Sequence, residues 1–185
     1  SVVKTLSLAI AKDLDEALFH AYTKISEGVA RQKMRKAAPL VRRTVLIDPD
    51  ASYPELGIRS FGKGSFHKPP IMGAELGNKR LFQIAANDLV FNNVFAWEGA
   101  IAVAQHADSG RFGSHRFITC LPSSDLTSEF LCFHFLTPDG LEDIRKASPG
   151  GAGRNRTLGL DALQNIEVPV PKLADQHWFN ELQKM

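Results

Sequence analysis

The sequence predicts an α+β fold, and three observations carry that expectation. Short apolar runs of strand length are separated by turn residues, they give way to two short helices, and the regular strand–helix alternation of a doubly wound sheet is missing. The expected divisions are an N-terminal helix and linker over residues 1–43, a folded domain over 44–171, and the start of a distal helix over 172–185.

The spacing predicts one helix from Ala11 to Lys36, because Leu14, Leu18, Tyr22, Ile25 and Val29 fall on one stripe. Leu18 to Val29 also keeps heptad spacing, over too few repeats to establish a coiled coil. A lone helix gains little from propensity in water, so the stripe needs a partner: the domain that follows or another long helix. Pro39 ends this region. Thr44–Asp48 reads as a strand, followed by strands at Leu81–Ile84, Leu89–Phe95, Ala100–Ala104 and Phe117–Leu121. Asn87-Asp88, Glu98-Gly99 and Asp108-Ser109-Gly110 supply turns. Ser124–Leu136 and Pro138–Ala147 read as helices, with Thr137 as N-cap and Pro138 in the first turn of the second. A glycine-rich loop at 149–153 leads to a strand near Ile166–Val170, stopped by Pro169 and Pro171, and a last helix opens at Lys172.

At 185 residues and 44% hydrophobic, the chain can bury a core without disulfides or a metal. Cys120 and Cys132 lie in apolar stretches and read as buried thiols of a reducing compartment. The apolar runs are too short to cross a bilayer and no secretory pattern opens the chain, so a cytoplasmic location and no membrane partner are expected. Net charge is only +2, yet Arg31, Lys33, Arg35, Lys36, Arg42 and Arg43 form a run without an acidic residue, and Arg154 and Arg156 sit among glycines. Such clusters neutralise phosphates even on a near-neutral chain; for the first, a solvated helix end reads equally well.

Catalytic patterns fail. Phe61-Gly-Lys-Gly64 opens no helix, and Lys68-Pro-Pro-Ile71 lacks the polar first residue of a methyltransferase tetrapeptide. Gly150–Thr157 lacks the lysine of a phosphate-binding P-loop. Neither Pro49-Asp50 nor Pro138-Asp139 is followed by the Asp/Glu-x-Lys of a metal-dependent nuclease. His106, His115, His134, Cys120 and Cys132 show no paired ligand spacing, so no catalytic residue, cofactor or metal is expected. His134, between Phe133 and Phe135, reads as structural, and Trp97 reads as a core residue at a strand end.

Binding chemistry fares better. Ser148–Leu158 and Ile58–Lys68 both surround flexible glycines with basic residues. Glycines let main-chain N–H groups approach phosphates, arginine contacts phosphate or guanine in bidentate fashion, and asparagine can read adenine. Arg154 and Arg156 are assigned to phosphates, Asn155 and Lys63 to base edges.

Five stretches, in order, resemble the target recognition domain of type I restriction–modification specificity subunits: Gly57–Gly64, Asp88–Ala100, Gly110–Phe117, Ser148–Leu158 and Val168–Gln176. The resemblance implies a mixed, strongly twisted sheet with short helices, flanked by long spacer helices. It also implies sequence-specific recognition of double-stranded DNA, one half of a split target per domain. The implied partners are methyltransferase (modification) subunits, a restriction and motor subunit, and a second copy through the spacer helices. Arg59, Lys63, Lys68, Arg154, Asn155 and Arg156 are the first candidates for DNA contact, and Arg80, Arg111, His115 and Arg116 the second. For Arg111–Arg116, bracing of the fold beneath the loops is the alternative. The chain corresponds to a half-length subunit or a fragment. Two other readings stay open: a domain of a fused restriction–methylation enzyme, and a module that blocks a restriction complex by protein contact.

Overall fold

The structure is a computed structural model and describes residues 2–150 and 156–185. Helix α1 spans Val2–Ser26, so it starts before the expected Ala11 and stops well short of Lys36. Gly28 ends the helical region in the left-handed conformation at φ +67°. The stretch expected to finish the helix instead forms strand β1 (Arg31–Lys33) and the short helix α2 (Met34–Ala37). β1 pairs antiparallel with β9 (Glu167–Pro169), with Gln32 opposite Val168.

Two further sheets follow. Strands β2 (Ser52–Ile58) and β3 (Ser65–Met72) form a hairpin that joins β7 (Phe112–Ser114) and β4 (Leu81–Gln83) in the order β3-β2-β7-β4. Helix α3 (Gly73–Leu76) connects β3 to β4. The second sheet has the order β6-β5-β8, built from β5 (Leu89–Asn92), β6 (Ile101–Val103) and β8 (Phe117–Cys120). The pairings include one parallel contact, Glu55 with Phe112, so the sheet is mixed, as expected.

Ile58 and residues 65–68, expected to lie in a loop over 58–68, belong instead to the two strands of this hairpin. Proline has no N–H for a ladder and argues against a strand, but Pro69 and Pro70 lie on edge strand β3 and Pro54 lies where the β2–β3 register shifts. Thr44–Asp48, by contrast, does not form a strand. Only Thr44 bridges to Phe82, and Leu46 is 96% exposed while Val45 and Ile47 pack on the small cluster of Tyr53, Leu76 and Leu81.

Helices α4 (Ser128–Leu136), α5 (Pro138–Lys146), α6 (Leu160–Asn165) and α7 (Leu173–Gln183) complete the fold. Thr137 caps α5 as its sequence suggests, accepting a bond from Gly140 N, with Pro138 in the first turn. The three-stranded sheet is buried on both faces. Leu89, Phe91, Ile101, Ile118 and Cys120 meet the helices, while Val90, Ala102 and Phe117 meet Leu56, Ile58 and Ile84 from the other sheet. Burial on both sides explains why this region reads as continuous apolar runs rather than as an alternation.

The stripe on α1 finds its partner within the chain. Tyr22 is buried against Phe130, Phe133 and Phe179, the last of these on α7, with Leu18 and Ile25 packed on the same core. Residues 9–17 of α1 are exposed on every face, and Val29 lies beyond the helix. The Tyr22 hydroxyl is 2.6 Å from Nδ1 of His134, and burial pushes the His134 pKa down to about 3, so the imidazole is neutral and structural. Cys120 and Cys132 are free, and burial pushes both thiols up to about 12, where they are unreactive.

Gln176 ties α7 to the domain. Its Oε1 accepts from Thr127 N at 2.9 Å, and its Nε2 donates to the carbonyls of Asp125 (2.8 Å) and Pro171 (2.9 Å). Gln176→Leu keeps the volume but leaves three backbone groups without partners. It is expected to lower unfolding free energy by roughly 2–3 kcal/mol in urea titrations. An unchanged midpoint contradicts this role.

Candidate nucleic-acid interface

One segment, residues 92–99, gathers three of the loops that the sequence singled out. Beyond β5 the chain turns through Asn92–Phe95 into a single 3-10 turn, Ala96–Glu98, and Gly99 leaves it at φ +81°. The hairpin turn between β2 and β3 docks on its end, with Phe61 N donating to Glu98 O and Gly62 N to Gly99 O, both at 2.9 Å. The Ser60 hydroxyl donates to Glu98 Oε2 at 3.2 Å. At the other end Asn93 N donates to the carbonyl of Arg116, in the turn between β7 and β8, at 2.8 Å. Asn93 O accepts from Leu158 N, also at 2.8 Å, where the glycine-rich loop returns. Trp97 belongs to this platform rather than to the core. It is half-buried, its indole N–H donates to Val94 O, and the guanidinium of Arg156 stands 5.6 Å from its ring centroid.

The platform brings Arg59, Lys63, Arg116 and Arg156 onto connected loops. Arg59 stacks on Phe66 (4.8 Å) and donates to Ser65 O, so its head group is held at the base of the turn. Lys63 is exposed, with Nζ 5.9 Å from the Phe61 centroid. Arg116 and His115 are exposed at one end of β7, where Arg80 precedes Leu81, the partner of Ser114. Lys68 lies on β3, several residues below the turn. Arg111 is half-buried at the other end of β7, its Nη1 3.4 Å from Glu55 O, which is the bracing geometry weighed for this stretch. Arg154 and Asn155 lie outside the described residues.

The run from Arg31 to Arg43 is largely absorbed by the fold. Arg31 donates to Glu167 O, Arg35 to Asn165 Oδ1, and Arg42 stacks on Phe82 at 5.0 Å. Arg43 makes a bidentate pair with fully buried Asp88, at 2.6 and 3.0 Å. Asp88 Oδ2 also accepts from Ala85 N. Among the described residues, no group of three His, Cys, Asp or Glu side chains could hold a metal ion.

Asp108, which sequence reasoning treated only as a turn residue, fastens the hairpin from the side. Its carboxylate accepts from Ser65 Oγ (2.7 Å), His67 Nε2 (2.8 Å) and Gln105 N (2.9 Å). Burial alone raises the carboxyl pKa, but these three donors outweigh it and hold Asp108 below its ordinary value. A pKa depressed in the folded state adds stability that is present above the unfolded value and lost as pH falls through the folded one. Asp108→Asn is therefore expected to lower the urea midpoint at neutral pH, with the gap from wild type closing below about pH 4. A gap independent of pH contradicts the carboxylate's role.

No protein-family model and no curated protein matches the chain. Solved structures do. The chain is similar to the HsdS subunit from Thermoanaerobacter tengcongensis, with TM-score 0.66 and 19% identity, over 85% of this chain and 41% of that one. It is equally similar to a chain from a structure on complex assembly and conformational transition of the type I R-M system, with TM-score 0.65, 18% identity and the same coverage. The chain spans about two fifths of the length of these relatives. The fold on which the platform stands is that of a part of an HsdS subunit.

Proposed function

We propose that the chain recognises a double-stranded DNA sequence as the reading domain of a type I restriction–modification specificity subunit, directing methyltransferase and restriction subunits to it. The observation that carries this reading is the convergence of the basic and glycine-rich loops on residues 92–99, in a fold shared with HsdS. Preformed loops lower the ordering cost of binding. The domain itself transfers no methyl group and cuts no DNA; those steps belong to its partners.

Arg156 contacts phosphate in this reading. Arg156→Ala is expected to weaken binding to target and scrambled duplexes alike and to lower the slope of log affinity against log salt by about one. Asn155→Ala and Lys63→Ala are expected to cost about 1–3 kcal/mol on the target alone. Loss of target binding only by Arg156→Ala, or no effect of any of the three, contradicts the assignment.

The exposed part of α1 is the surface for assembly, with methyltransferase subunits or with a second copy. Ile10 and Leu14 are 66% and 41% exposed, whereas Leu18 and Ile25 serve the chain's own core. Ile10→Asp with Leu14→Asp is expected to weaken assembly, read as mass in solution and subunit capture, with the melting temperature unchanged. Leu18→Asp with Ile25→Asp is expected to destabilise the domain itself by roughly 1–3 kcal/mol. Assembly indifferent to the first pair rules out α1 as that surface.

A further inference from the structure

The turn between β2 and β3 places a bulky residue where glycine is favoured. Phe61 has φ +62°, a region that costs an aromatic residue backbone energy and costs glycine little. Gly62 and Gly64 share positive φ, at +64° and +76°. The conformation is imposed from outside the residue. Phe61 N and Gly62 N are bound to Glu98 O and Gly99 O, and Arg59 N is bound to Gly64 O at 2.9 Å. Gly62 lies close against α4, since a Cβ there would stand 2.9 Å from a Leu136 methyl and force it to shift. The result of this strain is a ring thrust outward: Phe61 is 73% exposed, on a turn pinned at several points. One cation stands beside it: Lys63 Nζ is 5.9 Å from the ring centroid, while Arg59 is stacked on Phe66 at the base of the turn and Arg156 on Trp97 in the adjoining platform.

We propose that Phe61 is an apolar wedge that inserts between adjacent base pairs of the bound duplex, unstacking one step and bending the site. The proposal rests on the DNA-reading function above and adds a means of specificity to it. An aromatic face stacks on any base, but the step it opens is chosen by how readily that step deforms, so sequence is read without a hydrogen bond to a base. A wedge must be rigid, and the strained, pinned turn meets that need. The cationic neighbour suits a polyanion, with Lys63 placed beside the ring to hold the backbone at the opened step.

The test compares wild type, Phe61→Gly and Phe61→Trp as full chains. The probe is a short duplex that the wild-type protein enriches from a random-sequence pool, with 2-aminopurine placed in turn at each adenine. Glycine suits the backbone and lacks the ring, so Phe61→Gly should raise the urea midpoint while lowering duplex affinity roughly five- to a hundred-fold. Its salt slope should match wild type, and the rise in 2-aminopurine fluorescence seen with wild type should vanish. Phe61→Trp should retain both affinity and fluorescence. Full affinity in Phe61→Gly, or no fluorescence rise with wild type at any position, overturns the wedge while leaving DNA recognition intact. A loss of affinity with a shallower salt slope overturns it in favour of a phosphate contact through Lys63. Capture of a methyltransferase subunit lost by Phe61→Gly at unchanged duplex affinity overturns it in favour of a protein contact. Failure of the wild-type protein to bind any duplex in the pool overturns the DNA-reading function, and the wedge with it.

Discussion

The pairing of β1 with β9 is the constraint on which the arrangement of this chain depends. Residues 31–33 and 167–169 are far apart in sequence, yet they form one antiparallel ladder, extended by Met34 N to Ile166 O and Val170 N to Ala30 O. Everything between them is an excursion that leaves and returns at the same place. The ladder also brings α1 and α7 to lie against each other, so that Tyr22 meets Phe179 and both meet α4. A domain closed at its base in this way can sit between helices without disturbing their course.

Within the excursion, order is imposed by polar contacts that would be costly if broken. The Arg43–Asp88 pair buries a carboxylate completely, and removing Arg43 leaves that buried charge without its counter-ion. Asp88 immediately precedes β5, and β5 leads into the platform at 92–99. The same linker that looks like a phosphate-binding run in the sequence is therefore a strut for the platform. Two more contacts hold the outer loops: Asp108 secures β3 from the side, and Glu98 with Gly99 secures the hairpin turn from beneath. The hairpin turn is thus ordered by the fold itself, and in the proposed function its ordering entropy is lost in folding rather than in binding.

The central sheet was legible because its apolar runs are bounded by real turn residues: Asn87 adopts positive φ and Gly99 and Gly110 do likewise. The β2–β3 hairpin was not, because three prolines and several glycines mask it. Only the position of β3 at the sheet edge and the register shift at Pro54 make those residues tolerable. The helix boundary was missed at Gly28, since the apolar stripe continues through Val29 after the backbone has left the helix. In the candidate site, the basic and glycine-rich loops announced themselves by composition. Their convergence did not, because it runs through main-chain bonds to Asn93, Glu98 and Gly99, and no side-chain pattern encodes such bonds. Trp97 reads as core in the sequence for the same reason: its contact with Arg156 is visible only in three dimensions.

The central claim is that this chain reads a DNA sequence through loops assembled on residues 92–99. Repeated selection of bound duplexes from a random-sequence pool tests it most directly. The account predicts enrichment of one short common sequence by the wild-type protein, persisting as salt is raised while the background falls away. A pool that stays random at every salt concentration, although the protein remains folded, contradicts it.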